Sequence, residues 1–133
     1  MKASKSNVTR ALPIHTELEA CDNSGAKILQ IISVKGHKTR KGRRSAAGVG
    51  DFVTAVVKAG VPSMRKQTVY AIIVRQKKEY RRHDGIRIKF ESNAAVVLKD
   101  EKGNPKGTFI KGPVGKEAVE RWPGVAKIAS IVV

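Results

Sequence analysis

Acidic side chains are scarce in this sequence: 11 Asp and Glu stand against 27 Lys and Arg, a formal net charge of +16 over 133 residues. A surface this positive repels itself and makes best sense beside a polyanion, where each neutralised phosphate releases condensed counterions. Nucleic acid is the expected partner. Aromatic residues are scarcer still, at 5%, so the stacking platforms of single-strand readers and of sequence-specific RNA sheets lack a supply here. The single cysteine, Cys21, excludes an internal disulfide, fits a reducing compartment and reads as a small buried residue. Long apolar runs are missing too. The strongest, residues 71–74 and 94–98, fall far short of the roughly 20 residues of a spanning helix. No amphipathic helix or lipidation signal points to a membrane surface. Residues 1–10 are polar and basic without an apolar h-region, so no secretory signal is expected and the chain is read as intracellular.

Chemistry-bearing motifs are absent as well, and no catalytic residue, metal ligand or cofactor is expected. A P-loop needs Gly-Lys-Ser/Thr after its first glycine and four residues; Gly107 and Gly112 have the spacing, but Pro113 stands where the lysine belongs. Gly115-Lys116 is followed by Glu117 and has Ile110 in place of the first glycine. Gly48-Val49-Gly50 lacks the third glycine of a dinucleotide fingerprint and leads into a strand. His15, His37 and His83 are far apart and show no metal-ligand spacing with the lone cysteine. Sequence alone leaves a dyad of Cys21 with a histidine open.

What is present is a β pattern. Residues 1–13 form a basic extension without clear periodicity, closed by Pro13, so residues 1–15 read as an arm that orders on its partner. From Thr16, short runs rich in Val and Ile are separated by Gly, Pro, Asn and Asp at roughly ten-residue intervals. The candidate strands are residues 16–21, 27–34, 51–58, 68–75, 86–90 and 94–98, several of them apolar on both faces. Asn23-Ser24-Gly25 and Asp84-Gly85 read as tight turns, the second closing a hairpin in which Ile86, Ile88 and Phe90 share one face. A closed barrel removes sticky sheet edges and is preferred, with a sandwich as the alternative. Residues 115–122 are the helical candidate, bounded by Pro113 and by Pro123-Gly124, and residues 127–133 alternate as a last strand. No repeat or linker divides the chain, so residues 1–133 read as one domain, with residues 99–133 as a C-terminal ribbon and helix region.

The charge is uneven: residues 1–98 carry a net +13 and residues 99–133 a net +3. Two clusters dominate. The first, residues 35–44, holds Lys35, Lys38, Arg40, Lys41, Arg43 and Arg44 without an acid, inside a connection longer than structural loops usually are. Its glycines let the backbone approach a phosphate chain, and arginine forks can bond two phosphate oxygens; a solvated, disordered loop is the alternative. The second holds Arg75, Lys77, Lys78, Arg81 and Arg82, then Arg87 and Lys89 beyond the turn, opposite the apolar face of the hairpin. An ordinary charged surface is its bland alternative. Phe52, Phe90 and Tyr70 are assigned to the core, leaving Tyr80 as the one aromatic within a basic stretch. Binding through backbone and shape follows.

Several segments then resemble one family, in order. Residues 21–27 (Cys-Asp-Asn-Ser-Gly-Ala-Lys), Gly48-Val49-Gly50-Asp51, Ala71-Ile72-Ile73-Val74-Arg75, Asp84-Gly85, Phe90, Asn93 and Val96-Val97-Leu98 are similar to the universal large-subunit ribosomal protein number fourteen. Residues 103–108 and Gly112-Pro113-Val114 extend the likeness. The arm before Thr16 and the extra residues in the 35–47 loop resemble the archaeal and eukaryotic branch. The resemblance implies a mainly β fold: a closed five-stranded β-barrel with a projecting β-ribbon and small C-terminal helices. It also implies cytoplasmic work in the ribosome, on large-subunit ribosomal RNA at the intersubunit face, with bridges to small-subunit rRNA. Implied protein neighbours include large-subunit protein number three. A subunit anti-association factor would meet the C-terminal surface around Gly107, Thr108, Phe109, Lys116 and Arg121. A free-standing RNA-binding or RNA-chaperone barrel is the competing reading.

Overall fold

A computed structural model describes residues 6–133; the first five residues of the basic arm lie outside the described range. Strands β2 (Glu17–Ala20), β3 (Ala26–Val34), β5 (Phe52–Gly60), β6 (Thr68–Arg75) and β9 (Ala94–Leu98) close into a barrel in the order β2-β3-β5-β6-β9. All neighbours are antiparallel except β2 and β9, which run parallel. Closure sets the sandwich alternative aside. The turn before β3 depends on Gly25 at φ +100, a conformation costly for any residue with a Cβ.

Two apolar clusters explain why some strands read apolar on both faces. Inside the barrel, Leu29, Ile31, Val53, Val57, Ile73 and Val97 pack with at most 1% exposure. The outer faces of β6 and β9 (Ile72, Val74, Ala94, Val96 and Leu98) are covered by the C-terminal region through Ile110, Val114, Ala118, Trp122 and Val125. A strand buried on both sides needs a continuous apolar run. The outer wall of β3 has no such cover: Ile28 and Ile32 are exposed.

The C-terminal region differs from the sequence expectation in its breaks. Helix α1 spans Lys116–Arg121, and Pro123-Gly124, expected to end helical structure, instead opens α2 (Pro123–Ile128). Proline at the first helical position loses no hydrogen bond, because that N–H has no intrahelical acceptor. Lys127 and Ile128 therefore end a helix rather than start a strand; the strand is confined to β11 (Ile131–Val132), which pairs parallel to β10 (Pro113–Val114). The hairpin around Asp84-Gly85 is a short ribbon, β7 (Tyr80–Arg81) against β8 (Arg87–Ile88), with Gly85 at φ +91. Its apolar face is graded, with Phe90 buried, Ile88 half-buried and Ile86 exposed. The described part of the arm lies on the body: β1 (Leu12–Pro13) pairs with β4 (Ala46–Ala47), and Leu12 is buried.

Candidate nucleic-acid interface

Strand direction brings the two basic clusters together. β3 ends at Val34 and β5 begins at Phe52, so residues 35–51 leave and re-enter at one end of the barrel. Phe52 pairs with Ile72 and Arg75 pairs with Ala94, so the segment from Arg75 to β9 leaves from the same end. Clusters more than thirty residues apart in the chain thus face the same side.

The long basic loop is tied at its base and open at its crest. Lys35 N–H donates to Phe52 O at 3.0 Å, and the Nδ1 of His37 accepts from Ala46 N–H at 2.9 Å. Ile14 N–H donates to Ser45 O, adding to the β1–β4 pair. Within the crest Thr39 Oγ1 donates to Arg43 O at 3.1 Å. Lys38, Arg40, Lys41, Arg43 and Arg44 are exposed; Lys35 is exposed as well, its ammonium 4.9 Å from the centre of the Phe52 ring.

Where the loop rejoins the barrel, residues 48–51 are held from three sides. Gly48 N–H donates to Asp51 Oδ2, and the Gly50 carbonyl accepts from the Trp122 indole N–H at 2.8 Å and from Arg121 Nη1 at 3.1 Å. Gln76 is the third tie. Fully buried, its Oε1 accepts from Val49 N–H at 3.0 Å while its Nε2 donates to Thr9 O and Lys78 O. One amide thereby joins arm, loop and hairpin. Nothing in the sequence marked it, because a glutamine amid lysines reads as surface; an N–H and two carbonyls from three segments converge on it only in the fold.

The hairpin is anchored by a buried carboxylate. Tyr80 Oη donates to Glu117 Oε2 at 2.7 Å and Arg82 Nε donates to Glu117 Oε1 at 2.8 Å. Burial alone would push the Glu117 carboxyl up, but hydrogen bonds from Arg82 and Tyr80 outweigh it and hold it below the ordinary range. The Tyr80 hydroxyl is pushed well up, by burial first and then by the Glu117 carboxylate. Tyr80, the one aromatic left within a basic stretch by the sequence reading, is 1% exposed and serves as an anchor. Tyr70, assigned to the core, is only half-buried, stacked 5.4 Å from Phe52 with its hydroxyl on Glu101.

Arg75 and Arg82 part from the other expected RNA ligands. Arg75 is 8% exposed and its Nη1 donates to the carbonyls of Lys111 and Pro113, while Arg82 is half-buried on Glu117. Lys77, Lys78, Arg81, Arg87 and Lys89 are exposed, and Lys78 has a carboxylate beside it, Glu79 at 3.0 Å. This end of the barrel therefore offers mobile cations over a fixed backbone and no free aromatic ring, since Phe52, Tyr80 and Phe90 are buried. Such a surface can neutralise phosphates and follow a backbone, but it cannot stack bases.

The expected protein-contact surface divides likewise. Gly107 and Thr108 are locked to Asn23, whose Oδ1 accepts from Thr108 N–H at 2.7 Å and whose Nδ2 donates to Thr108 Oγ1 at 2.8 Å. Phe109 stands out at 47% exposure, and Lys116 is exposed beside Glu120. Arg121 turns inward to Gly50 and Asp51. As for the dyad left open by the sequence, burial pushes the Cys21 thiol up to about 11, so it is protonated at neutral pH and no nucleophile.

Residues 11–133 match the family model of ribosomal protein L14p/L23e. The chain is 53% identical to the large ribosomal subunit protein uL14 of Nanoarchaeum equitans over 133 residues, all of both chains. Its identity to the proteins of the same name from Methanococcus maripaludis and Methanococcus vannielii is 55% and 54%, over 99% of each chain. Arm and long loop fall within these full-length matches to archaeal relatives. With the expected barrel closed and the likeness running from end to end, the chain belongs to the ribosomal protein L14p/L23e family, whose members are structural proteins of the large ribosomal subunit and not enzymes.

Proposed function

We propose that this protein, folded as one domain with its arm and C-terminal region, works in the cytoplasmic ribosome by gripping large-subunit ribosomal RNA through the phosphate backbone. The observation that carries this reading is the convergence of two basic segments on one barrel end without an exposed aromatic between them. Arg40, Lys41, Arg43 and Arg44 on the loop and Lys77, Lys78, Arg81, Arg87 and Lys89 on the hairpin are the direct contacts, with Lys35 and Lys38 at the loop's entry. Arg75 and Arg82 act one layer in, fixing where the hairpin stands. By the family resemblance, this contact lies at the intersubunit face and contributes to bridges to small-subunit rRNA. Gly107, Thr108 and the exposed Phe109, together with the exposed Lys116 and the inward-turned Arg121 of α1, are the residues proposed for contact with neighbouring proteins, large-subunit protein number three and a subunit anti-association factor among them.

Replacing Arg40, Arg43 and Arg44 together by alanine is expected to weaken attachment and flatten its salt dependence, by roughly one unit of the log–log slope per lost phosphate contact. Binding to large-subunit rRNA over a salt series measures this. An unchanged slope assigns the loop to solvent or to a protein neighbour, and protections spread over arbitrary RNA rather than one ribosomal site favour the free-standing RNA binder.

A further inference from the structure

The outer face of β3 is bare. Leu29 and Ile31 point into the barrel with no exposure, so Ile28, Gln30 and Ile32 alternate on the outside, where Ile28 and Ile32 are 37% and 45% exposed. On β6 and β9 the outward apolar side chains lie under the C-terminal region; those of β3 have no such cover. β2 runs beside this face, with Glu17 opposite Gln30 and Glu19 opposite Ile28, and both carboxylates are exposed. Glu19 N–H donates to Asn93 O at 3.0 Å, which brings the segment before β9 alongside. Glu17, Glu19 and Ile28 thereby line one open depression of about 290 Å³ together with Glu91, Asn93 and Lys77.

Its three carboxylates differ from every other acid among the described residues. Asp22, Asp51, Asp84 and Asp100 accept backbone N–H groups, and Glu101 takes the Tyr70 hydroxyl. Glu79, Glu117 and Glu120 face Lys78, Arg82 and Lys116. Glu17, Glu19 and Glu91 accept no side-chain hydrogen bond and form no ion pair within the described residues, in a sequence that holds 27 basic residues. The acids that the fold leaves unused meet at one place. Glu17 and Glu19, two apart on one strand, share a face and repel each other, so the isolated domain gains nothing from setting them there. A phosphate brought into the depression would meet these carboxylates against the single ammonium of Lys77.

Two apolar side chains about 13 Å apart along a strand, flanked by unpaired carboxylates, define their complement: an extended peptide carrying cations beside an apolar residue. We propose that the outer wall of β2 and β3 is a docking face for a basic, extended segment of another protein of the large subunit. Lys or Arg side chains of that segment pair with Glu17, Glu19 and Glu91 while an apolar side chain packs on Ile28 and Ile32. The carboxylates supply the selectivity, repelling a phosphate chain where they draw in a cationic peptide. This inference needs the chain's place in the large subunit and not the proposed grip on the RNA backbone.

The test starts from purified large subunits in which Ile28 or, as a second position, Ile32 is replaced by a diazirine amino acid, whose photolysis product inserts into protein and RNA alike. The expected product is a crosslink to one protein segment that mass spectrometry reads as rich in Lys and Arg. That peptide, synthesised with a fluorophore, is then titrated with the purified full chain. Glu17→Gln and Glu19→Gln are each expected to weaken its binding about two- to fivefold, the size of an exposed ion pair, with the loss shrinking as salt is raised. The urea midpoint of the free chain should not fall in either variant, since neither carboxylate has a partner in the fold; a fallen midpoint assigns the carboxylates to the fold instead. Crosslinks into rRNA, no crosslink from either position, a captured segment without a surplus of Lys and Arg, or binding indifferent to both substitutions overturns the docking face. None of these outcomes bears on the RNA grip, which the salt series on the 35–44 loop tests.

Discussion

Trp122→Ala is expected to lower the unfolding free energy by about 4 kcal/mol, within the range for emptying a buried tryptophan site and a large share of the ~5–15 kcal/mol that holds a domain of ordinary size together. The indole is 3% exposed, its ring centre lies 5.7 Å from that of Phe52, and Gly103 approaches so closely that a Cβ there would stand 2.6 Å from the ring. Rigid neighbours on these sides cannot collapse into the hole. The indole N–H also donates to the Gly50 carbonyl, so the loss reaches the point where the basic loop re-enters the barrel. Trp122→Phe separates the effects: it keeps most of the volume, and Gly50 O retains Arg121 Nη1. Its expected cost is about 1–2 kcal/mol for the lost hydrogen bond and the smaller ring. Denaturant unfolding followed by circular dichroism measures both, since this is the sole tryptophan and fluorescence is lost with it. A cost under ~1.5 kcal/mol for the alanine variant would mean that the C-terminal helices do not unfold cooperatively with the barrel.

How far the sequence foretold this arrangement depends on how local the responsible forces are. Strand β6 and strand β9 were read at their observed bounds, because a both-faces-apolar run is a property of the segment itself. Ile86 was placed on one face with Ile88 and Phe90, yet alternation states only which residues share a side, and burial along that side falls from Phe90 through Ile88 to Ile86. Pro123-Gly124 is a break signal in either reading; whether it ends one helix or opens another depends on Val125 finding the apolar cover of β9. The loop and hairpin charges were visible because each is contiguous in the chain. The Gln76 tie was not, since Thr9, Val49 and Lys78 come from three segments and meet on its amide only in the fold. Tyr80 and Arg82 misled for a related reason. Their partner is a carboxylate more than thirty residues away, and no local pattern says that a basic stretch will fold two of its members onto one buried glutamate.

That glutamate carries the second large effect. Glu117→Ala is expected to cost about 3 kcal/mol, the lower end of the range for breaking a buried ion pair, because it strands the Arg82 guanidinium and the Tyr80 hydroxyl where little water reaches. Glu117→Gln keeps the shape and an acceptor oxygen but not the charge, and should cost roughly half as much. The same contacts give a pH dependence whose sign is fixed. The Glu117 carboxyl is lowered on folding, so its contribution is present above the unfolded value near 4.5 and is lost as pH falls through the lower folded value. The Tyr80 hydroxyl is raised, so its contribution is present below 10 and is lost as pH climbs from there. Asp22, raised chiefly by its own burial, works in the opposite sense to Glu117 on the acid side; Glu79 and Asp100 are lowered like Glu117 but lie at the surface, where solvent screens them. Urea midpoints measured between about pH 5 and pH 2 should therefore fall less steeply in Glu117→Gln than in the unaltered chain. Equal slopes would remove Glu117 as the acid-sensitive anchor. Hydrogen exchange supplies the local readout: the Arg82 amide, which donates to Ile86 O across the hairpin, should lose protection in Glu117→Ala before the β3–β5 ladder does. Under the proposed grip on the RNA backbone, the hairpin's cations would then lose their fixed position, and rRNA attachment should weaken although no exposed charge has been removed.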